Sequence, residues 1–234
     1  MLFLRSLLFY IGISLALLVF TPIGILLLPL PFRQRYRVMS QWGRFANWWL
    51  EKTCQLNYQV QGLENLPATP AIVLSKHQSA WETIVFQVIL PRQVWLVKRE
   101  LLRIPFFGWS LAGLQPIAID RKNLRQSLQK IIEQGKQRLA EGNWVVIFPE
   151  GTRVNPGEKK RYGVGGAMLA AQSGYPVVPV AVNSGKFWPP KSFVKRPGTI
   201  KVVIGPVIDS NGKSYKEINE LTENWIEEMV LKIQ

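Results

Sequence analysis

From Tyr58 to the C-terminus, short apolar β-type runs alternate with segments of helical periodicity, and this alternation restricts the fold more than any other feature. Strands are expected near residues 58–62, 71–75, 94–98, 116–119, 144–148, 177–182 and 200–205. Helices are expected near 80–90, 106–114, 123–141, 164–174 and 214–232. Runs as continuously apolar as 71–74 and 177–182 need cover on both faces. The pattern predicts an α/β fold, a mixed, largely parallel sheet with helices on both faces. One such domain over 58–234, preceded by a helical segment over 1–57, accounts for the 234 residues.

That N-terminal segment has its own character. No charged residue occurs from Ser6 to Phe32, enough to cross a hydrocarbon core of about 30 Å. Pro22, Pro29 and Pro31 interrupt the run, so two shorter helices dipping into one leaflet fit as well as one spanning helix. A cleaved signal peptide is the rival, but the run is long and lacks a small-x-small exit. Arg33, Arg35 and Arg37 follow at once and belong on the cytoplasmic side of an inner (plasma) membrane. Between Val38 and Leu50, Trp42, Phe45, Trp48 and Trp49 recur at helical spacing, which suits either a headgroup belt or a core-facing stripe. The segment is expected to be membrane-associated. The net charge of +14 favours an anionic membrane surface over nucleic acid as the partner. A single cysteine, Cys54, rules out an intramolecular disulfide, and no Cys/His cluster has zinc spacing, so no metal is expected. Cys54 follows the Trp-rich helix and reads as buried filler.

The chemistry-bearing residues lie just past strand ends. His77 is the only histidine in the chain and follows the apolar run Ala71–Leu74. Its unperturbed pKa near 6.5 makes it the ready proton acceptor at neutral pH. Glu82, five positions later at the start of a helix, can hold one ring nitrogen and leave the other free as a general base. Trp144–Phe148 leads into Pro149-Glu150-Gly151-Thr152-Arg153, where Gly151 permits a tight turn and Arg153 can grip a phosphate. Lys98-Arg99 ends another strand, and Asp120-Arg121-Lys122 a third. In a parallel sheet these ends converge on one rim. The glutamates of the last helix, Glu217, Glu220, Glu223, Glu227 and Glu228, read as a solvated acidic face.

Taken together, His77-x-x-x-x-Glu82, the stretch Lys98 to Gly108, Phe148 to Arg153 and Val177 to Val180 resemble, in order, the four sequence blocks of the lysophosphatidic acid acyltransferases. These are the bacterial 1-acyl-glycerol-3-phosphate acyltransferases within the glycerolipid acyltransferase family. The resemblance spans roughly residues 60–210 and departs at Glu82, where the family mostly has Asp. It implies the glycerolipid acyltransferase fold, with 58–234 as the catalytic domain. It also implies transfer of an acyl chain from acyl-CoA or acyl carrier protein to the free sn-2 hydroxyl, giving phosphatidic acid. By this resemblance His77 takes the hydroxyl proton and Glu82 fixes the imidazole. Lys98 and Arg153, with Arg121 as a third, hold the acceptor's phosphate. Glu150, Gly151 and Thr152 shape the glycerol site, and Val177 to Val180 pack beside the acyl or thioester end. No cofactor beyond the acyl donor is implied. The blocks are equally compatible with another acceptor (glycerol-3-phosphate, another lysophospholipid or an ornithine-type lipid). Glu82 in place of Asp also leaves open a non-catalytic lipid-binding scaffold.

Overall fold

β-branched side chains pack well on both faces of a covered strand, and the strands form where such runs occur. The computed structural model describes residues 1–120 and 122–234. Among the described residues the strands are β1 (Leu56–Gln61), β2 (Ile72–Ser75), β3 (Gln93–Lys98), β4 (Ile117–Ile119), β5 (Trp144–Ile147), β6 (Val177–Val182) and β7 (Gly198–Ile204). They form one sheet in the order β1-β7-β6-β2-β5-β3-β4. Only β6 and β7 run antiparallel; the other neighbours are parallel. Consequently β2 through β6 all end at the same edge, and β2 lies mid-sheet between β5 and β6.

The helices are α1 (Leu2–Leu26), α2 (Phe32–Met39), α3 (Gln41–Cys54), α4 (Glu82–Ile89), α5 (Phe107–Gly113), α6 (Leu124–Ala140), α7 (Gly165–Ser173) and α8 (Tyr215–Ile233). Alternate strand residues point to opposite sides. Val73, Val146, Val178 and Val180 pack with Ala46 and Leu50 of α3 and Val85 and Phe86 of α4. Their neighbours Ile72, Leu74, Val145 and Ile147 pack instead with α6, α7 and α8, through Ile131, Leu169 and Ile218.

The structure corrects three details of the sequence reading. Pro22 does not end the first helix, and α1 continues to Leu26. Packing against α3 and α5, including a 2.8 Å bond between the hydroxyls of Ser110 and Thr21, outweighs the loss of the proline's backbone donor. Pro29 and Pro31 do fall in the turn that leads to α2. Cys54 is the buried last residue of α3 rather than a residue beyond it. Finally, the α3 aromatics divide between the two roles considered. Trp42 and Trp49 pack against the core, Trp48 is exposed, and Trp49 also donates to the Leu8 carbonyl of α1 at 3.2 Å.

The outer face of α1 differs from that of a helix on a water-soluble protein in being apolar as well. The helix buries Ser6, Phe9, Thr21 and Gly24 and exposes Leu4, Leu8, Ile11, Leu15 and Leu18 at three- and four-residue spacing. Phe9 packs into the core, Ser6, Thr21 and Gly24 also face the protein, and the leucine stripe faces outward, the arrangement expected where the surroundings are lipid. By length and composition α1 is able to cross a membrane. Close approach to α3 depends on Gly12, since any Cβ there would lie 2.0 Å from Trp49 Nε1.

Candidate active site

Leaving the buried centre of the sheet, β2 continues into Lys76, whose N–H still bonds the Val180 carbonyl of β6 at 3.0 Å. His77 comes next, at the rim where the parallel strands end. Its Nδ1 lies 3.1 Å from Glu82 Oε2. Glu82 is the first residue of α4, where the helix dipole favours a carboxylate. Its carboxylate is fully buried and accepts the N–H groups of Gln78 (3.2 Å) and Ser79 (3.0 Å) and the Ser184 hydroxyl. The extra methylene relative to Asp is therefore accommodated without losing the imidazole. The ring also stacks on Phe148, with centroids 3.8 Å apart and planes 11° apart. Phe148 rests on Phe86 and Trp95. One ring nitrogen and one ring face are thus fixed, and Nε2 is left for a substrate. Ser79 is no nucleophile here: it is buried, and its Oγ accepts the Trp81 N–H.

Glu150 does not line the substrate space. Its Oε2 accepts the backbone N–H of His77 at 2.7 Å, and its Oε1 pairs with Lys76 Nζ at 2.8 Å. Lys76 is buried too, and its ammonium reaches Glu227 Oε1 of α8 at 2.7 Å. The Tyr162 hydroxyl donates to that same oxygen at 2.9 Å. Burial pulls the Lys76 pKa down, but Glu150 and Glu227 more than reverse this, and the net shift is upward. Burial pushes the Glu150 carboxyl up, with Lys76 opposing. Burial also drives the Tyr162 phenol far up, so it remains a donor. Glu227 accordingly leaves the solvated acidic face expected of the last helix. It lies at the edge of the stripe formed by Ile218, Ile226 and Val230 and turns inward. A lysine directly after a buried apolar strand was the available signal, because such a cation demands an acidic partner.

A cavity of about 430 Å³ opens beside the imidazole. His77, Lys98, Gly151, Thr152 and Arg153 line it, and Leu17 and Phe20 of α1, Trp42 of α3, and Leu111 and Leu114 at the end of α5 add apolar lining. The sheet edge thus unites the expected base with two of the expected phosphate-binding cations. Arg121, the third, lies outside the described residues. Gly151 adopts φ +69°, a left-handed turn that lets the Thr152-Arg153 segment face the cavity. Val177 to Val180 do not reach this space. Strand β6 is buried throughout, with β2 on one side and β7 on the other, because its valines fill both faces of the core. The α1 contribution was not readable in advance, since a uniformly apolar run does not reveal which face turns inward.

A family model described as Acyltransferase matches residues 57–183, more than half of the chain. The chain belongs to the Acyltransferase family. It is 43% identical to the 1-acyl-sn-glycerol-3-phosphate acyltransferase of Pseudomonas aeruginosa, covering 98% of this chain and 91% of that one. It is 30% identical to the mouse 1-acyl-sn-glycerol-3-phosphate acyltransferase alpha over 72% of this chain and 61% of that one. Among solved structures, the acyltransferase superposes on PlsC, the 1-acyl-sn-glycerophosphate (LPA) acyltransferase of Thermotoga maritima, with a TM-score of 0.81. That match covers 99% of this chain and 96% of the other at 22% identity, which establishes a shared fold.

Proposed function

We propose that this acyltransferase moves a fatty acyl group from an acyl thioester to the free sn-2 hydroxyl of 1-acyl-glycerol-3-phosphate, giving phosphatidic acid. The observation that carries this reading is the cavity itself, in which one imidazole, two cations and an apolar lining share a single space. A phosphate belongs with Lys98 and Arg153, and an acyl chain belongs against Leu17, Phe20, Leu111 and Leu114. The 43% identity to the Pseudomonas enzyme supports the same acceptor.

The residues divide the chemistry as follows. Glu82 accepts the Nδ1–H of His77 and keeps Nε2 as the proton acceptor. Nε2 takes the hydroxyl proton as the acceptor oxygen attacks the thioester carbonyl. The resulting imidazolium, stabilised by Glu82, returns that proton to the departing thiolate as the tetrahedral intermediate collapses. The sn-2 ester forms, the C–S bond breaks and a free thiol leaves, so no acyl-enzyme and no redox cofactor enter. Coenzyme A and acyl carrier protein are both suited to supply the thioester. The leucine face of α1 supports placing the cavity mouth at the lipid surface, where acceptor and product reside. Arg33 and Arg37, exposed beyond α1, support the cytoplasmic face of the inner membrane. Arg35 is turned inward instead and donates to the Leu28 carbonyl at 2.8 Å.

The acceptor is tested with Arg153→Ala. Its KM for lysophosphatidate should rise roughly tenfold or more, as for loss of a charge-assisted phosphate contact. Turnover of a monoacylglycerol lacking phosphate should stay as low as in the parent. An unchanged KM for lysophosphatidate would argue for an acceptor without phosphate.

A further inference from the structure

Away from the groups that line the cavity, Lys76, Glu150, Glu227 and Tyr162 form a buried polar cluster. It joins the catalytic loop to the C-terminal helix. We propose that Glu227 is a positioning residue of the active site: by holding the Lys76 ammonium from α8, it keeps one oxygen of Glu150 free to fix the peptide of His77.

An ammonium offers three N–H donors, and a carboxylate offers two oxygens. Here the oxygens of Glu150 have separate duties, Oε1 toward Lys76 at 2.8 Å and Oε2 toward the His77 N–H at 2.7 Å. That division holds because Lys76 has a second partner, Glu227 Oε1 at 2.7 Å. Glu227 is in turn oriented by the Tyr162 hydroxyl at 2.9 Å. Lys76 and Glu150 are both shut off from water, so neither can satisfy its remaining valences with solvent. Once the Glu227 carboxylate is removed, Lys76 has only Glu150 as an anionic partner and draws both oxygens toward itself. The His77 N–H then loses its acceptor. The other side of the same residue is held independently, since the His77 carbonyl accepts the Val154 N–H at 2.8 Å. Residue 77 would therefore pivot about its held carbonyl rather than detach, tilting the imidazole relative to Glu82 and the cavity. Because Glu150 also opens the Gly151-Thr152-Arg153 turn, the cluster links the orientation of the base to the phosphate side of the site. A residue on the last helix, remote in sequence from every catalytic block, would thus govern the angle of the base.

The inference rests on His77 being the base. The chain's single histidine makes the test direct, because a sample labelled with backbone ¹⁵N-histidine gives one amide resonance. In the parent that proton should appear well downfield, as expected for a short bond to a carboxylate. Glu227→Gln should move it upfield and lower kcat roughly tenfold or more, the scale of a small misplacement of a catalytic group. KM for lysophosphatidate should stay within about twofold, because Lys98 and Arg153 are untouched. Tyr162→Phe, which removes only the orienting donor, should shift both readouts less and in the same direction. It carries the test if Glu227→Gln does not fold. An unmoved resonance in the folded variant, whether kcat is kept or lost with thermal stability, would overturn the proposal. An inactive parent with the resonance shifting as described would instead count against the proposed acyl transfer and leave the hold of Glu227 on the His77 peptide standing.

Discussion

Glu82 is satisfied from several directions at once, by the imidazole, two backbone N–H groups and a hydroxyl. Glu82→Gln keeps the shape but removes the charge that stabilises the imidazolium, and its amide must place an NH₂ where donors already point. Turnover should fall by roughly a hundredfold or more, with expression and melting temperature far less affected. Glu82→Asp is the informative companion. It retains charge but retracts the carboxylate from an imidazole now 3.1 Å away, so it should be slower than the parent; a large gain would mean that the glutamate is itself the defect. Steady-state kinetics on matched preparations separates these outcomes. At this scale much of the site was readable. A lone imidazole with an acid five residues on, and a Glu-Gly-Thr-Arg turn after a strand, stand out by residue type and spacing, and the fold sets His77 against Glu82 and beside Arg153; the roles proposed for them follow from the family resemblance. Ser184 and Glu227 were not readable, because each reaches the catalytic loop only through the fold, across more than a hundred residues.

Among the elements, the seam between α1 and the loop 189–197 shows how the apolar helix is held. The Lys195 N–H donates to Ser6 Oγ at 2.9 Å, and its buried ammonium donates to the Phe193 carbonyl at 2.8 Å. That ammonium sits 3.3 Å from the Tyr10 ring centroid and 4.5 Å from that of Trp188. Burial pushes the Lys195 pKa down to about 7 from its ordinary 10.5, with Cys54 opposing weakly. Between these two values the unfolded chain holds a proton that the folded chain has released, so this group makes stability rise with pH across that window and penalises the fold below it. The parent melting temperature should therefore increase from pH 7 to pH 9.5 relative to Lys195→Met, in which the group is absent. Parallel melting curves would show that the aromatic cage keeps the lysine charged. Strand and helix order was legible because β-branched runs and helical periods differ in repeat. Pro22 was misleading because local backbone preference says nothing about the neighbours that keep a helix going.

For the whole molecule, α1 carries both the outward leucine stripe and, on its inner face, part of the cavity lining, so the proposed membrane attachment and the proposed substrate access meet on one helix. Ile11→Lys with Leu15→Lys places two charges on the stripe, each costing roughly 2.5–3.5 kcal/mol if buried in hydrocarbon. The double variant should leave floated vesicles for the soluble fraction while still acylating a short-chain, water-dispersed lysophosphatidate. Undiminished flotation would mean that α1 does not carry the attachment. Composition forecast an oily end and a basic body, but only the packed structure shows that the same helix lines the cavity beside His77. The proposed acyl transfer depends most on a proton leaving the acceptor hydroxyl for the imidazole at the rim of β2. The most direct test measures acyl transfer from a defined thioester to lysophosphatidate in vesicles, comparing the parent with His77→Ala. Loss of a general base predicts a rate at least about a thousandfold lower with vesicle binding intact. A rate within a few-fold of the parent would contradict it.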